Sequence, residues 1–176
     1  MKNARKVVAL LLLAALTFSL SGCTASYKQD FLQDPNYMSA QASVLIVTPK
    51  DGTYGEIYYE TSGRDVVEAL TKELRKYTTN VAVIPTNVSI NDIADEELQG
   101  FDYIFIPEIL HWEDRLTGWS FRPDRIEVRF DIYNNQRQLT NSINIKGKSA
   151  NIVWVSKAPK SLLPKPIRLM LRDLFR

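Results

Sequence analysis

Between Arg125 and Tyr133 every second residue is apolar: Ile126, Val128, Phe130 and Ile132 alternate with Glu127, Arg129 and Asp131. A period of two places one set on each face of a β-strand, so this stretch must be dry on one side and wet on the other. Asn134-Asn135-Gln136-Arg137 reads as a turn, and Leu139 to Lys148 returns, with Ile143 and Ile145 alternating with Asn144 and Lys146. Two antiparallel strands with one solvated face follow. Earlier runs differ. Ser43 to Thr48 and the front half of Tyr103 to Trp112 are apolar almost without interruption, as strands covered on both faces are.

Helical spacing lies between these strands. Ser62-Gly63-Arg64-Asp65 reads as a helix start with an acid three residues after the cap. Val66, Val67, Leu70, Leu74 and Tyr77 then share a face, with Glu68, Lys72, Glu73 and Lys76 away from it. Asn80 to Ile84 is a short strand closed by Pro85, and Ser89 to Leu98 a short acidic helix ended by Gly100. A last helix over Lys165 to Phe175 sets Ile167, Met170, Leu171 and Leu174 on one side and the ridge Arg168, Arg172, Arg176 on the other. That ridge reads either as arginines in water near a helix C-terminus or as a contact for anionic headgroups or an acidic partner. The expected fold is α/β: a mixed sheet in β-α-β-α-β-β-β order, with helices packed on it and a C-terminal helix. Two crossovers make the first three strands parallel.

The N-terminus has a different character. Lys2, Arg5 and Lys6 precede an apolar run from Val7 to Leu20, too short and too rich in small residues for a comfortable membrane span. Leu20-Ser21-Gly22-Cys23 follows. This arrangement resembles the signal peptide and lipobox of bacterial lipoproteins. The resemblance implies cleavage between Gly22 and Cys23, and diacylglycerol plus an N-acyl chain on Cys23, with no other cofactor. Several acyl chains anchor stably where one does not. By analogy with enteric-type lipoproteins, the same resemblance implies that Thr24, in place of an aspartate, directs the protein to the periplasmic face of the outer membrane rather than the inner membrane. The expected organisation is a signal peptide over 1–22, a lipidated cysteine and tether over 23–42, and one domain over 43–176. The tether would lift the domain several nanometres at roughly 3 Å per residue. Tyr27, Phe31 and Tyr37 are more aromatic than a linker needs, so part of it can pack back.

Charge and cysteine count narrow the chemistry. The chain carries a formal +2, but residues 1–22 hold three cations and no acid, so the processed chain carries −1. No general basic face for nucleic acid results. The single cysteine rules out an internal disulfide and, once acylated, a thiol nucleophile. One histidine cannot build a multi-histidine metal site, and no nucleophile elbow, zinc-protease motif or phosphate loop is present. His111 with Glu113 is the best acid–base pair, sharing a strand face two residues apart, with Glu108 on the other face and Asp114 nearby. A non-enzymatic role is expected.

The two loops leaving the parallel strands at their carboxyl ends carry the candidate interaction rim. It comprises Tyr54, Tyr58 and Tyr59 from one loop, and His111, Trp112, Glu113, Asp114, Arg115, Trp119, Phe121, Arg122, Asp124 and Arg125 from the other. Tyr, Trp and Arg dominate interface hot spots. The same residues equally suit aromatics closing the end of a core and charges pairing across a hairpin. Tyr103 to Arg115, with Thr117, Trp119-Ser120 and Asp124-Arg125-Ile126, resembles the signature of a Gram-negative lipoprotein family without an assigned activity. More distantly, the element order is similar to curli-secretion and exopolysaccharide-export lipoproteins. These resemblances imply an envelope module bound to the membrane through its lipid and associating with an envelope protein or with copies of itself. Binding of a small ligand or glycan on the rim is the alternative.

Overall fold

The computed structural model describes residues 25–115, 122–150 and 158–175. The expected α/β architecture is present. Strands β1 (Ser26–Phe31), β2 (Val44–Val47), β5 (Val81–Ile84), β6 (Tyr103–Glu113), β7 (Arg125–Asn134) and β8 (Leu139–Lys148) form one mixed sheet in the order β1-β8-β7-β6-β2-β5. A small hairpin, β3 (Thr53–Tyr54) and β4 (Ile57–Tyr58), stands apart from it. Helices are α1 (Ser62–Leu74), α2 (Asp95–Leu98) and α3 (Pro164–Leu174).

β5 and β6 both pair parallel to β2, on either side of it. The chain therefore steps outward from β2 to β5 and then back past β2 to β6. Right-handed crossovers in opposite directions put their helices on opposite faces. The core divides accordingly. Val44, Ile46, Phe105, Ile126, Val128, Phe130, Ile132, Ile143 and Ile145 bury one sheet face under α1 and α3. Leu45, Val47 and Ile104 bury the other under Ile90, Ile93 and Leu98. That second cover reaches β5, β2, the first half of β6 and Tyr133 near the end of β7, leaving the rest of β7 and β8 open, as their alternation requires.

Three local expectations are corrected. Residues 26–31, assigned to the tether, are the edge strand β1, antiparallel to β8 from Ser26↔Lys148 to Phe31↔Ile143. Tyr27 and Phe31 pack on the core while Lys28 and Asp30 are exposed, so the weak amphipathy of this segment is that of an edge strand. Ser89 to Leu98 is not one helix but a 3-10 turn, Ile90–Asp92, with the Ser89–Asp92 capping box, followed by α2. Glu73 does not face water. It is buried between α1 and α3, where Arg168 Nε reaches it at 3.1 Å and Lys76 at 2.5 Å. Burial alone would raise its pKa, but these two cations hold it below the ordinary value. Arg168 is thereby committed to joining the helices, and Arg172 lies 3.2 Å from Asp173; Arg176 lies outside the described residues.

Candidate functional site

The carboxyl ends of β2 and β6 do lie at one edge, as parallel pairing demands. The loop after β2 is organised by Asp51. Its carboxylate accepts from the Gly63 N–H (2.7 Å) and the Tyr58 hydroxyl (2.9 Å), while the Gly52 N–H donates to Ser62 Oγ (2.7 Å). α1 thus takes its first-turn acceptor from a distant aspartate. The preceding residue, Thr61, is left-handed and makes no side-chain cap. Burial raises the Asp51 pKa, and the hydrogen bonds from Gly63, Tyr58 and Ser62 outweigh it, leaving it lowered. Gly55 has φ +59 and Glu56 does not, which defines a type II′ turn joining β3 to β4. This hairpin presents Tyr54, Ile57 and Tyr58 to solvent at 40%, 56% and 58% exposure.

A β-bulge in β6 reorganises the second half of the rim. Ile109 pairs with Val128, and the next paired residue is His111, with Glu127. Leu110 is the extra residue. Cross-strand partners share a face. Glu108, His111 and Glu113 therefore all stand with Arg129, Glu127 and Arg125 on the open face, so Glu108 and His111 are not opposed as a regular strand would have them. Trp112 turns inward opposite Ile126 and is 3% exposed. It presses on Gly52, where an added Cβ would come 2.7 Å from the Trp112 Cβ. The switch point between β2 and β6, where open α/β sheets tend to bind ligands, is filled by this contact.

Glu113 is buried, paired with Arg115 and 3.3 Å from His111 Nε2. Burial pushes its pKa up and the bonds from His111 and Arg115 overcome that, leaving it lowered. Tyr54 meets the His111 ring edge-on at 5.1 Å, and the Arg115 guanidinium stands 5.9 Å from the Tyr54 centroid. Asp124 is buried too. Its carboxylate accepts from the Arg115 N–H at 2.7 Å, its own N–H donates to Ser149 Oγ at 2.9 Å, and its carbonyl accepts from the Ser149 N–H at 3.0 Å. The Asp114 N–H donates to the Tyr59 hydroxyl, and burial with the neighbouring Asp124 charge raises the Asp114 pKa. Trp119 and Phe121 lie outside the described residues, as do Gly22 and Cys23. Of the predicted rim, Trp112, Glu113 and Asp124 are buried, whereas Tyr54, Tyr58 and Arg125 are exposed.

Two shallow depressions flank this edge. One, about 350 Å³, sits on the open sheet face among Lys28, His111, Arg125, Glu127, Lys146 and Lys148. The other, about 600 Å³, lies outside the carboxyl ends of β2 and β5, among Lys50, Asp51, Tyr58, Glu60 and Arg64. Sequence reasoning missed the first because its lysines come from the segment assigned to the tether and from the end of β8. Among the described residues no His, Cys, Asp and Glu side chains gather as a metal site, and no helix is long and apolar enough to cross a membrane.

An α/β sheet whose first crossovers wind in opposite directions, with an antiparallel meander left open on one face, defines the class. The chain belongs to the family described as Domain of unknown function (DUF4823), whose model matches residues 36–174. No curated protein matches it in sequence. Among solved structures it is similar to the PelC dodecamer from Paraburkholderia phytofirmans, with TM-score 0.60 and 13% identity, over 87% of this chain and 99% of that one. It is also similar to a Xanthomonas campestris protein of the DUF330 family, with TM-score 0.53 and 14% identity, over 80% and 89%. At these identities the likeness is one of fold.

Proposed function

We propose that this protein is a lipid-anchored, non-catalytic assembly module of the bacterial envelope. It is exported, cleaved before Cys23, held on the periplasmic face of the outer membrane and working by association with copies of itself or another envelope protein. The observation that carries this reading is the fold shared, over nearly the full length of both chains, with a protein that forms a dodecamer. The sheet also ends in two different edges, β1 and β5. Contacts between unlike surfaces close into rings when the rotation permits. The non-catalytic part is supported by Glu113. A base buried and committed to Arg115 is poorly placed to exchange protons with a substrate. Native mass spectrometry of the mature lipoprotein in mild detergent tests the reading. A single defined oligomer of this chain, or a defined complex with another envelope protein, is expected. A monomer across the accessible concentration range, with no self-adduct or partner adduct after crosslinking in cells, would overturn it. A second reading, binding of a small ligand or glycan, is favoured by the depression that Tyr58, Lys50 and Arg64 border. It predicts chemical-shift changes at those three residues on titration with envelope saccharides.

A further inference from the structure

β1 begins at Ser26, three residues after Cys23. Three residues reach at most about 10 Å when fully extended. Any group carried by Cys23 is therefore close to the Ser26 end of β1. Ser26 pairs with Lys148, Lys148 with Arg125, and Arg125 with Glu113, so that end is the carboxyl edge of the sheet. The depression on the open face at this edge is lined by Lys28, Arg125, Lys146 and Lys148, with Glu127 its one carboxylate. Lys146 meets Glu127 at 3.0 Å. Lys28, Arg125 and Lys148, on three adjacent strands, have no carboxylate within ion-pair distance among the described residues. Uncompensated cations gathered on neighbouring strands repel one another, and a shared anion removes that cost.

We infer that Lys28, Arg125 and Lys148 receive the phosphate headgroups of anionic phospholipids in the leaflet that holds the Cys23 lipid. The inference rests on the anchor proposed above and adds the face the domain turns to the bilayer. Charge complementarity and the short reach from Cys23 select this occupant. The reach is comparable to the distance over which a charged surface acts at physiological salt, about 8 Å. Lysine and arginine suit phosphate through charge-assisted hydrogen bonds. The exposed Tyr54, Ile57 and Tyr58 of the β3–β4 hairpin stand at the same edge, and amphipathic aromatics are favoured at headgroup depth. Neither Glu56 nor Glu60 of the hairpin segment lines the depression, so the headgroup contact centres on β1, β8 and β7.

The mature lipoprotein, reconstituted into vesicles of phosphatidylcholine alone or with a third of it replaced by phosphatidylglycerol, tests this. Lysine acylation by a water-soluble reagent is read peptide by peptide. Lys28 and Lys148 should label on the order of fivefold more slowly on the anionic vesicles. High salt should restore the rate, and Lys72, in the last turn of α1, should not change. Arg125→Glu keeps both reporter lysines and should abolish most of the protection. Equal labelling on both vesicles, from protein whose N-terminal peptide carries the acyl mass, would overturn the headgroup site and leave the anchor standing. An N-terminal peptide without acyl mass would overturn both. Protection that is already complete in detergent would mean a second protein copy covers the face, and would also overturn it.

Discussion

Gly63 shows how little room the loop around Asp51 leaves. A Cβ there would sit 2.4 Å from the Pro49 carbonyl oxygen, a backbone atom that cannot swing aside. Gly63→Ala should lower stability by about 2 kcal/mol or more, read as a shifted urea midpoint. Gly100→Ala, whose Cβ would meet only Glu97 O at 3.4 Å, should leave the midpoint near that of the parent. Trp112 is the second diagnostic residue. As a buried residue its replacement by alanine should cost about 3–5 kcal/mol, while Tyr58→Ala, on an exposed side chain, should cost less than about 1 kcal/mol. Thermal or urea unfolding of the two variants separates a core tryptophan from a rim tryptophan. Sequence reading placed Trp112 on the rim because it took His111 to Arg125 as the loop leaving the strand, whereas β6 runs on to Glu113. One inserted residue, Leu110, reverses the alternation, and nothing in its identity announces a bulge.

The elements divide by how strongly alternation marks them. β7 was legible residue by residue, because Ile126, Val128, Phe130 and Ile132 are all buried and the charged set between them is not. The continuous apolar runs of β2 and early β6 likewise announced a sheet covered on both sides, and the wet face of β8 announced where cover ends. β1 was not legible as a strand. Its inward side chains, Tyr27, Gln29 and Phe31, are only half buried, and one of them is polar. Edge strands carry half the pairing and correspondingly less pattern. Tyr27→Ser combined with Phe31→Ser removes the apolar part of that face, including the ring beneath Lys165. The pair should cost about 2 kcal/mol and speed hydrogen exchange at those β8 amides that face β1, leaving β6 protected. The candidate site was legible in its address, the carboxyl edge, and illegible in its division between buried and exposed members.

For the molecule as a whole, pH acts through Glu73, Glu113 and Glu127, each held below its ordinary value of 4.5 by partners that outweigh burial. A lowered native pKa contributes stability that is complete above that ordinary value and is lost as pH falls through the native one. Asp65 and Asp114, raised by burial from 3.8, act oppositely, contributing at low pH and losing that contribution as pH rises. The urea midpoint should therefore fall in acid below about pH 4.5, and Glu73→Gln should lower the neutral midpoint while flattening the fall. Cys23→Ser should abolish incorporation of labelled palmitate and release the protein from washed membranes. The pairing of β1 with β8 has a consequence in time. Ser26 needs Lys148 as its partner, so a chain synthesised from its N-terminus leaves its first strand waiting for its last. Such non-local closure is slow compared with the local turns it spans. During that interval Ser26 to Phe31 have no partner strand. Once β8 arrives they become the hem of a finished sheet.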